Sequence, residues 1–452
     1  MSRRVFVTGL GVVSGFGDDL EKFWTDCLAG TCLVEPIPSR WREFADYRST
    51  IWSPVQVPGW PSLFSRIERI QHDSATLMAV GAAQAALTHA GFTTEVSNRK
   101  SNTRRILGLD PQRCAAFVGS GVGGANSFMV NHAHQVLATS RSELVVLRDG
   151  IDDAVLRDAI TGVLSRMEHT PRFNPFVVSM LMPNAPASYL GIKFGLRGGS
   201  TPCNYACASG TVAIGRAFEA VRTGLIESAI AGGSEYLDDP HGSIFHGFDV
   251  CGALVRKCDP PDKANRPFDE DRSGFLFSQG GAGMLILESE EHVMARKGEP
   301  IAEILASGSS FDAYSMMNPH PQGEAIEHML EAMLAAAQVA AQDVDYINAH
   351  GTGTQSNDAC EAAVLSRIFG SDVAVNSTKS LLGHSIGASG AIEAVVTALS
   401  LRDQRLHPSC NLDAPIAALN FVTSSEPRAV HKAISQSFAF GGHNAALLFA
   451  TP

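Results

Sequence analysis

A basic surplus, paired cysteines and long apolar runs are all missing from this sequence, and each absence removes a class of protein. Lysine and arginine number 35 against 46 aspartates and glutamates, a formal charge of −11, so a broad basic face for nucleic acid is excluded. Local basic clusters remain available to an acidic partner. Nine cysteines in 452 residues include no CxxC pair, which supports neither a disulfide framework nor a thiolate zinc site. The pattern reads as a chain kept in a reducing, cytoplasmic compartment. No uninterrupted apolar stretch reaches the roughly 20 residues of a spanning helix, so no membrane segment is expected. Two arginines before an apolar run give the first residues the outline of a signal peptide. VFVTGLG nevertheless reads as a β-branched strand entering a glycine turn, with no small-residue cleavage pattern after it.

What is present is ordinary for a globular protein: 45% hydrophobic residues, 18% charged, and enough length for a large core. Short apolar runs of strand length occur at Val5–Leu10, Ala115–Gly119, Ser228–Ala231, Met284–Leu287, Ile301–Ala306, Tyr346–Ala349, Val373–Asn376 and Ala445–Phe449. Helical patterns lie between them, clearest at Ser74–Ala90, Gly210–Arg222, Ala325–Ala341 and Gly390–Arg402. This alternation predicts α/β layers with parallel strands. Two stretches look inserted: Thr93–Gln112, with its basic run NRKSNTRR, and Val130–Arg172, a mixed amphipathic segment.

An internal repeat organises the rest. RVFVTGLG matches IAEILASG, each followed by an Ala-rich helix and then by a strand entering a glycine turn, FVGSGVGG or INAHGTGT. Next come CASGTVAI and GASGAIEA, and finally a glycine pair before a strand, GGAGMLIL and GGHNAALLF. The matches in one order predict two duplicated α/β halves, 1–298 and 299–452.

The repeat also locates chemistry. Cys207 in TPCNYACASG falls at or just before a helix N-terminus, where unpaired amides and the helix dipole stabilise a thiolate. On position alone, a nucleophile and a buried structural thiol stand level. Cys203, in an irregular segment, reads as structural. His350 in AHGTGT sits in a glycine turn that leaves its ring unshielded, and His384 precedes a helix mirroring that of Cys207. Cys207 and His384 are therefore expected on symmetry-related helix starts, converging with His350 on a nucleophilic site. Zinc fails for want of close ligand spacing and a fourth ligand.

The blocks VFVTGLGVVS, FVGSGVGG, YACASG, AIAGGSE, RPFDEDRSGF, NAHGTGTQSND, NSTKSLLGHSIGASGAIE and SFAFGGHNAAL, running from Val5 to Leu447, resemble those of β-ketoacyl–acyl carrier protein synthases of the condensing-enzyme family, nearest the elongating type II kind. The resemblance implies a thiolase-like fold, duplicated α/β halves in an αβαβα arrangement. It implies decarboxylative condensation of an acyl group on Cys207 with malonyl-carrier, needing no metal or redox cofactor. His350 and His384 resemble the pair that holds the malonyl thioester carbonyl. Lys379 matches the family lysine, with Glu393 as its salt-bridge partner, and Asp358 takes the acidic position after HGTGT. Phe440 matches the gatekeeping aromatic, whose N–H with that of Cys207 would form an oxyanion hole. Val122 and Phe248 match acyl-pocket positions, where plain core packing serves nearly as well. Arg66 and Arg172 match carrier-docking positions. The implied partners are an acyl carrier protein with phosphopantetheine-linked acyl and malonyl groups, and a second copy in a homodimer.

The sequence also departs from the family pattern. Ala439 stands where glycine is usual and should stiffen the gate, His443 replaces a threonine, and Ser278-Gln279-Gly280-Gly281 replaces a shorter glycine–acid–glycine run. Gly252 and Ile70 occupy positions that are normally basic. A non-catalytic chain-length subunit would lack the nucleophile. A thiolase would carry a second cysteine in SFAFGGHNAA, which has none.

Overall fold

In the computed structural model, which describes residues 3–56, 63–167 and 173–452, the strand-forming segments join one sheet of eleven strands. They are β1 (Val5–Val13), β2 (Cys114–Gly119), β3 (Ser200–Cys203), β4 (Ser228–Tyr236), β5 (Gly280–Ser289), β6 (Ala302–Phe311), β7 (Tyr346–Asn348), β8 (Ala374–Asn376), β9 (Asn420–Phe421), β10 (Lys432–Ala439) and β11 (His443–Ala450). The order across the sheet is β9-β8-β7-β10-β11-β6-β1-β5-β4-β2-β3. Counted outward from the central β1–β6 pair, both halves run first, fifth, fourth, second, third, and β9 adds an edge to the second half.

The expectation of parallel strands is corrected. β2, β3 and β4 pair in parallel, as do β7, β8 and β10, but β1 is antiparallel to both its neighbours. So are β4–β5, β6–β11 and β10–β11. The turn Phe440–Gly442 shows why. Only these residues separate β10 from β11, and Gly441 and Gly442 take φ of 86° and 80°, a hairpin geometry with no room for a crossover.

Every residue of β1 and of β5 is buried, as strands covered on both faces must be. The helices that matter are α1 (Ser74–His89), α2 (Ala125–Asp149), α3 (Ala154–Met167), α4 (Ala185–Phe194), α5 (Ser209–Arg222), α6 (Glu324–Ala337), α7 (Gln355–Phe369) and α8 (Ser389–Asp403). α1 covers β1, β4 and β5 from outside, and α6 covers β6 and β11. α5 and α8 lie between the halves, each touching strands of both. α8 is buried on every side from Ser389 to Leu401, so it shows no polar face.

The inserted segments resolve into regular structure. Thr94–Asn98 and Thr103–Ile106 form a hairpin carrying most of the basic run on its surface. α2, which begins ahead of the expected insertion, packs with α3 as a helical pair. α6 stops at Gln338, whose φ of 56° ends it before Ala341. Among the described residues no helix is long and apolar enough to cross a membrane.

α5 and α8 cross at two glycines. A Cβ on Gly210 would lie 2.8 Å from the Ala391 nitrogen, and one on Gly390 would lie 2.0 Å from Thr211 Oγ1. Gly390→Ala is therefore expected to lower stability by about 1–3 kcal/mol, through overpacking where nothing can yield. A urea midpoint equal to that of the unsubstituted protein would show that the crossing is looser than this.

Candidate active site

Both central helices are entered through the same strained turn. A 3₁₀ turn at Ala206–Ala208 leads into α5 and one at Ile386–Ala388 into α8. Ala206 and Ile386 take φ of 46° and 48°, left-handed values that non-glycine residues adopt at a cost. Ser209 Oγ accepts the Tyr205 N–H at 2.8 Å, and Ser389 Oγ accepts that of Ser385 at 3.0 Å, so the serine of each A-S-G run braces its turn. Matching the two turns pairs Cys207 with Gly387, and His384 with Asn204. Cys207 and His384 thus lie on related helix starts without being equivalent residues, a refinement of the sequence expectation.

Cys207 is buried. The amides of Phe440 and of Cys207 itself hydrogen bond to its sulfur, and Lys379 adds a positive field. Burial outweighs all three and pushes the thiol up to about 11. The helix-start stabilisation expected from sequence is thus overridden: at neutral pH the group is a thiol.

His350, at the end of β7, and His384 are also buried, with ring centroids 5.4 Å apart and nearly perpendicular. The Lys379 ammonium donates to His350 Nδ1 at 3.1 Å, to the His350 carbonyl at 2.8 Å and to Glu393 Oε1 at 2.5 Å. All three of its donors are engaged. Because His350 Nδ1 accepts, its proton resides on Nε2. His384 Nδ1 pairs with Ser389 Oγ at 2.9 Å, leaving Nε2 for the cavity. Burial and the Lys379 charge hold both imidazoles well below the ordinary histidine range, so both are neutral at pH 7.

Buried carboxylates shape the loops. Asp358 accepts the N–H groups of Thr352 at 3.0 Å, Gly353 at 3.0 Å and Phe268 at 2.8 Å, which makes it a positioning residue for the HGTGT turn. Two further carboxylates escaped the sequence reading. Glu361 accepts from the amides of His350 at 2.7 Å and Gly351 at 2.8 Å. Glu235 accepts from those of Gly121 at 2.6 Å and Gly387 at 3.1 Å, tying the GSGVGG loop to the turn before α8. Burial pushes both up to about 7. Their only sequence signal was an acid placed beside or soon after a glycine turn.

A cavity of about 350 Å³ opens above these groups, lined by Cys207, His350, His384, Thr352, Thr354 and Phe440 among others. Val122 and Phe248 do not line it. They pack into the cluster that encloses Cys207, with the Phe248 ring stacked 6.4 Å from that of Phe440. Ala439 ends β10 directly before the gate, and His443 sets its ring 5.1 Å from Tyr205 and 5.2 Å from Phe311. Gln279, from the altered glycine run, accepts the Val55 N–H at 2.8 Å and donates to Asp238 at 3.1 Å. Arg66 is exposed on the short helix Arg66–Gln71. Arg172 lies outside the described residues.

Because thiolate is scarce at neutral pH, alkylation of Cys207 by iodoacetamide should climb about tenfold per pH unit between pH 7 and 9. Peptide mass spectrometry reads the rate, and a plateau below pH 8 would show that the positive field wins over burial.

Comparison with known proteins gives the same assignment from independent directions. The family profile described as beta-ketoacyl synthase, N-terminal domain, matches residues 2–292, and the C-terminal domain profile matches residues 301–413. The 3-oxoacyl-[acyl-carrier-protein] synthase 2 of Vibrio cholerae is 31% identical over 99% of both chains. The chloroplastic synthase II of Arabidopsis thaliana is 31% identical over 99% of this chain and 76% of its own length. Among solved structures, a beta-ketoacyl synthase from Burkholderia phymatum superposes with a TM-score of 0.82 at 26% identity over the whole of both chains. A type II polyketide ketosynthase, bound to its hexaketide and in complex with its acyl-carrier protein, gives 0.79 at 25% over the whole of both chains. The chain belongs to the β-ketoacyl synthase family.

Proposed function

We propose that this β-ketoacyl synthase loads an acyl group onto Cys207 and condenses it with malonyl-acyl carrier protein, in fatty-acid or polyketide elongation. The observation that carries the reading is the convergence on one cavity of a thiol flanked by two amide donors and two neutral imidazoles held by Lys379. In loading, the Cys207 sulfur attacks the acyl thioester carbon and its proton passes to the departing pantetheine sulfur. In condensation, the malonyl C–C bond breaks and carbon dioxide leaves with the carboxylate charge neutralised. The enolate oxygen then gathers charge between the His350 and His384 Nε2–H groups. The enolate carbon attacks the acyl carbon, whose oxyanion sits between the Cys207 and Phe440 amides, and collapse expels the Cys207 thiolate. Neutral imidazoles suit this step, since they donate hydrogen bonds without surrendering a proton. Phe440, stacked on Phe248, would have to swing away to admit a long chain toward Val122.

The carrier protein would dock over the cavity mouth. Arg66 stands on a helix fixed by its Ser65 cap and by buried Glu68, which pairs with Lys193 at 2.5 Å. Gly252, where a basic residue is usual, is overlaid by another: a Cβ there would lie 2.6 Å from the Arg256 guanidinium. Arg256 would therefore supply the missing positive charge for a phosphopantetheine phosphate or acidic carrier helix. Among the described residues β3 ends the sheet as an unpaired edge, the place where a second copy would add its own strand in a homodimer. Nine free cysteines suit a reducing, cytoplasmic setting.

His350→Ala should still form the acyl-Cys207 adduct in a single turnover while releasing labelled carbon dioxide from malonyl-carrier about 10²–10³-fold more slowly. Decarboxylation at the normal rate, or failed acylation in a folded variant, would overturn this division of labour. For docking, Arg66→Glu and Arg256→Glu should each weaken carrier binding, and rising salt should shrink the difference. Carrier affinity unchanged in both variants would move the docking surface elsewhere, the helical pair α2–α3 being the first alternative.

A further inference from the structure

Two thiols outside the cavity meet where the halves of the chain join. Cys32 follows the first helix of the chain, Leu20–Leu28, and Cys410 lies between α8 and β9 in the second half. Both sulfurs point at one oxygen, the Gly30 carbonyl, at 3.9 Å from Cys32 and 3.0 Å from Cys410. They also hydrogen bond to each other. Both are half-buried, so solvent reaches them, unlike Cys27 beside them, which is buried. The backbone around the pair is fixed. Cys32 Sγ reaches the Ser380 carbonyl at 3.6 Å, Cys410 N–H donates to Ser380 Oγ at 3.0 Å, and Leu33 N–H donates to the Leu381 carbonyl at 2.9 Å. The segment they grip is the short helix Lys379–Leu382, whose first residue serves His350 and Glu393.

We propose that Cys32 and Cys410 form a vicinal dithiol site that closes reversibly to a disulfide on meeting a small-molecule disulfide of the glutathione type. The exchange balances without any other reactant. The Cys410 thiolate attacks one sulfur of oxidised glutathione and releases the first glutathione thiolate. The Cys32 sulfur then attacks the mixed disulfide at Cys410, expels the second, and the two protons lost by the cysteines accompany the two glutathiones. The order of attack follows from the surroundings. The hydrogen bond from Cys32 and the nearby Lys263 ammonium hold Cys410 below the ordinary thiol range, whereas the same hydrogen bond and burial push Cys32 above it. The resulting link would staple the first half to the second directly beneath the Lys379 helix.

The test uses the reduced full chain, incubated with oxidised glutathione, quenched with N-ethylmaleimide and mapped by peptide mass spectrometry. The expected result is loss of two alkylatable thiols, Cys32 and Cys410 appearing in one linked peptide that dithiothreitol separates. In Cys32→Ser the reaction should stop one step earlier, with one glutathione held on Cys410. Full alkylation of both cysteines after oxidant, or a dominant link from Cys410 to Cys27, would overturn the proposal. The readout is mass alone, so it stands or falls independently of the condensing activity.

Discussion

The close crossing of two largely buried helices governs everything else in this molecule. α5 and α8 approach until Gly210 faces Ala391 and Gly390 faces Thr211, a separation no side chain could share. That contact sets the two 3₁₀ turns at the helix starts against one another, and with them Cys207 and His384. Glu235 adds a second clamp by accepting amides from both sides of the junction, Gly121 from the first half and Gly387 from the second. The left-handed values at Ala206 and Ile386 are tolerable because the helices behind them cannot retreat. A reactive site is thereby built from segments nearly 180 residues apart without depending on a flexible loop.

Electrostatics then does what position alone does not. The site holds a buried ion pair, Lys379–Glu393, whose members are almost entirely out of water. Taking them out of solvent is expensive, and such a pair is weak grounds for stability. Its value lies in what the ammonium adds: it occupies His350 Nδ1, fixes the proton on Nε2, and joins burial, the larger cause, in depressing both imidazoles so that neither carries charge at neutral pH. A histidine already charged would bind malonyl's carboxylate in the ground state. A neutral N–H favours the oxygen only as charge moves there, which is differential stabilisation of the transition state.

Much of this was legible in the residues. The repeat of glycine turns and A-S-G helix starts yielded the duplicated halves, because such local signals survive divergence of the surrounding side chains. Strand direction was not legible: an apolar run of strand length carries no arrow, and the antiparallel pairs at β1 and β10–β11 follow from tertiary connection. β3, β9 and β10 were not legible as strands, β3 and β9 because they are short or carry exposed polar residues, β10 because polar Ser435, Gln436 and Ser437 are buried across its two covered faces. Cys207, His350, His384 and Lys379 were findable because each sits in a distinctive motif. Glu235 and Glu361 were not, since their work is done on backbone amides, which no sequence pattern displays.

The proposed nucleophile shows how little acidity need say about reactivity. Burial pushes Cys203 and Cys360 up to about 11, the same as Cys207, and Cys114 to about 12. Were thiolate fraction the criterion, nothing would single out Cys207. It differs in three geometric respects: it lines the cavity, two amides address its sulfur, and a strained turn holds it at the helix start. In the proposed loading step a high thiol pKa is no handicap, because the departing pantetheine sulfur can take the proton that Cys207 gives up. It also protects the enzyme, since a sulfur that stays protonated until substrate fills the cavity offers oxidants and stray electrophiles little to attack. Selectivity here comes from the alignment of donors around one sulfur, and that alignment exists only because the two helices cross where they do.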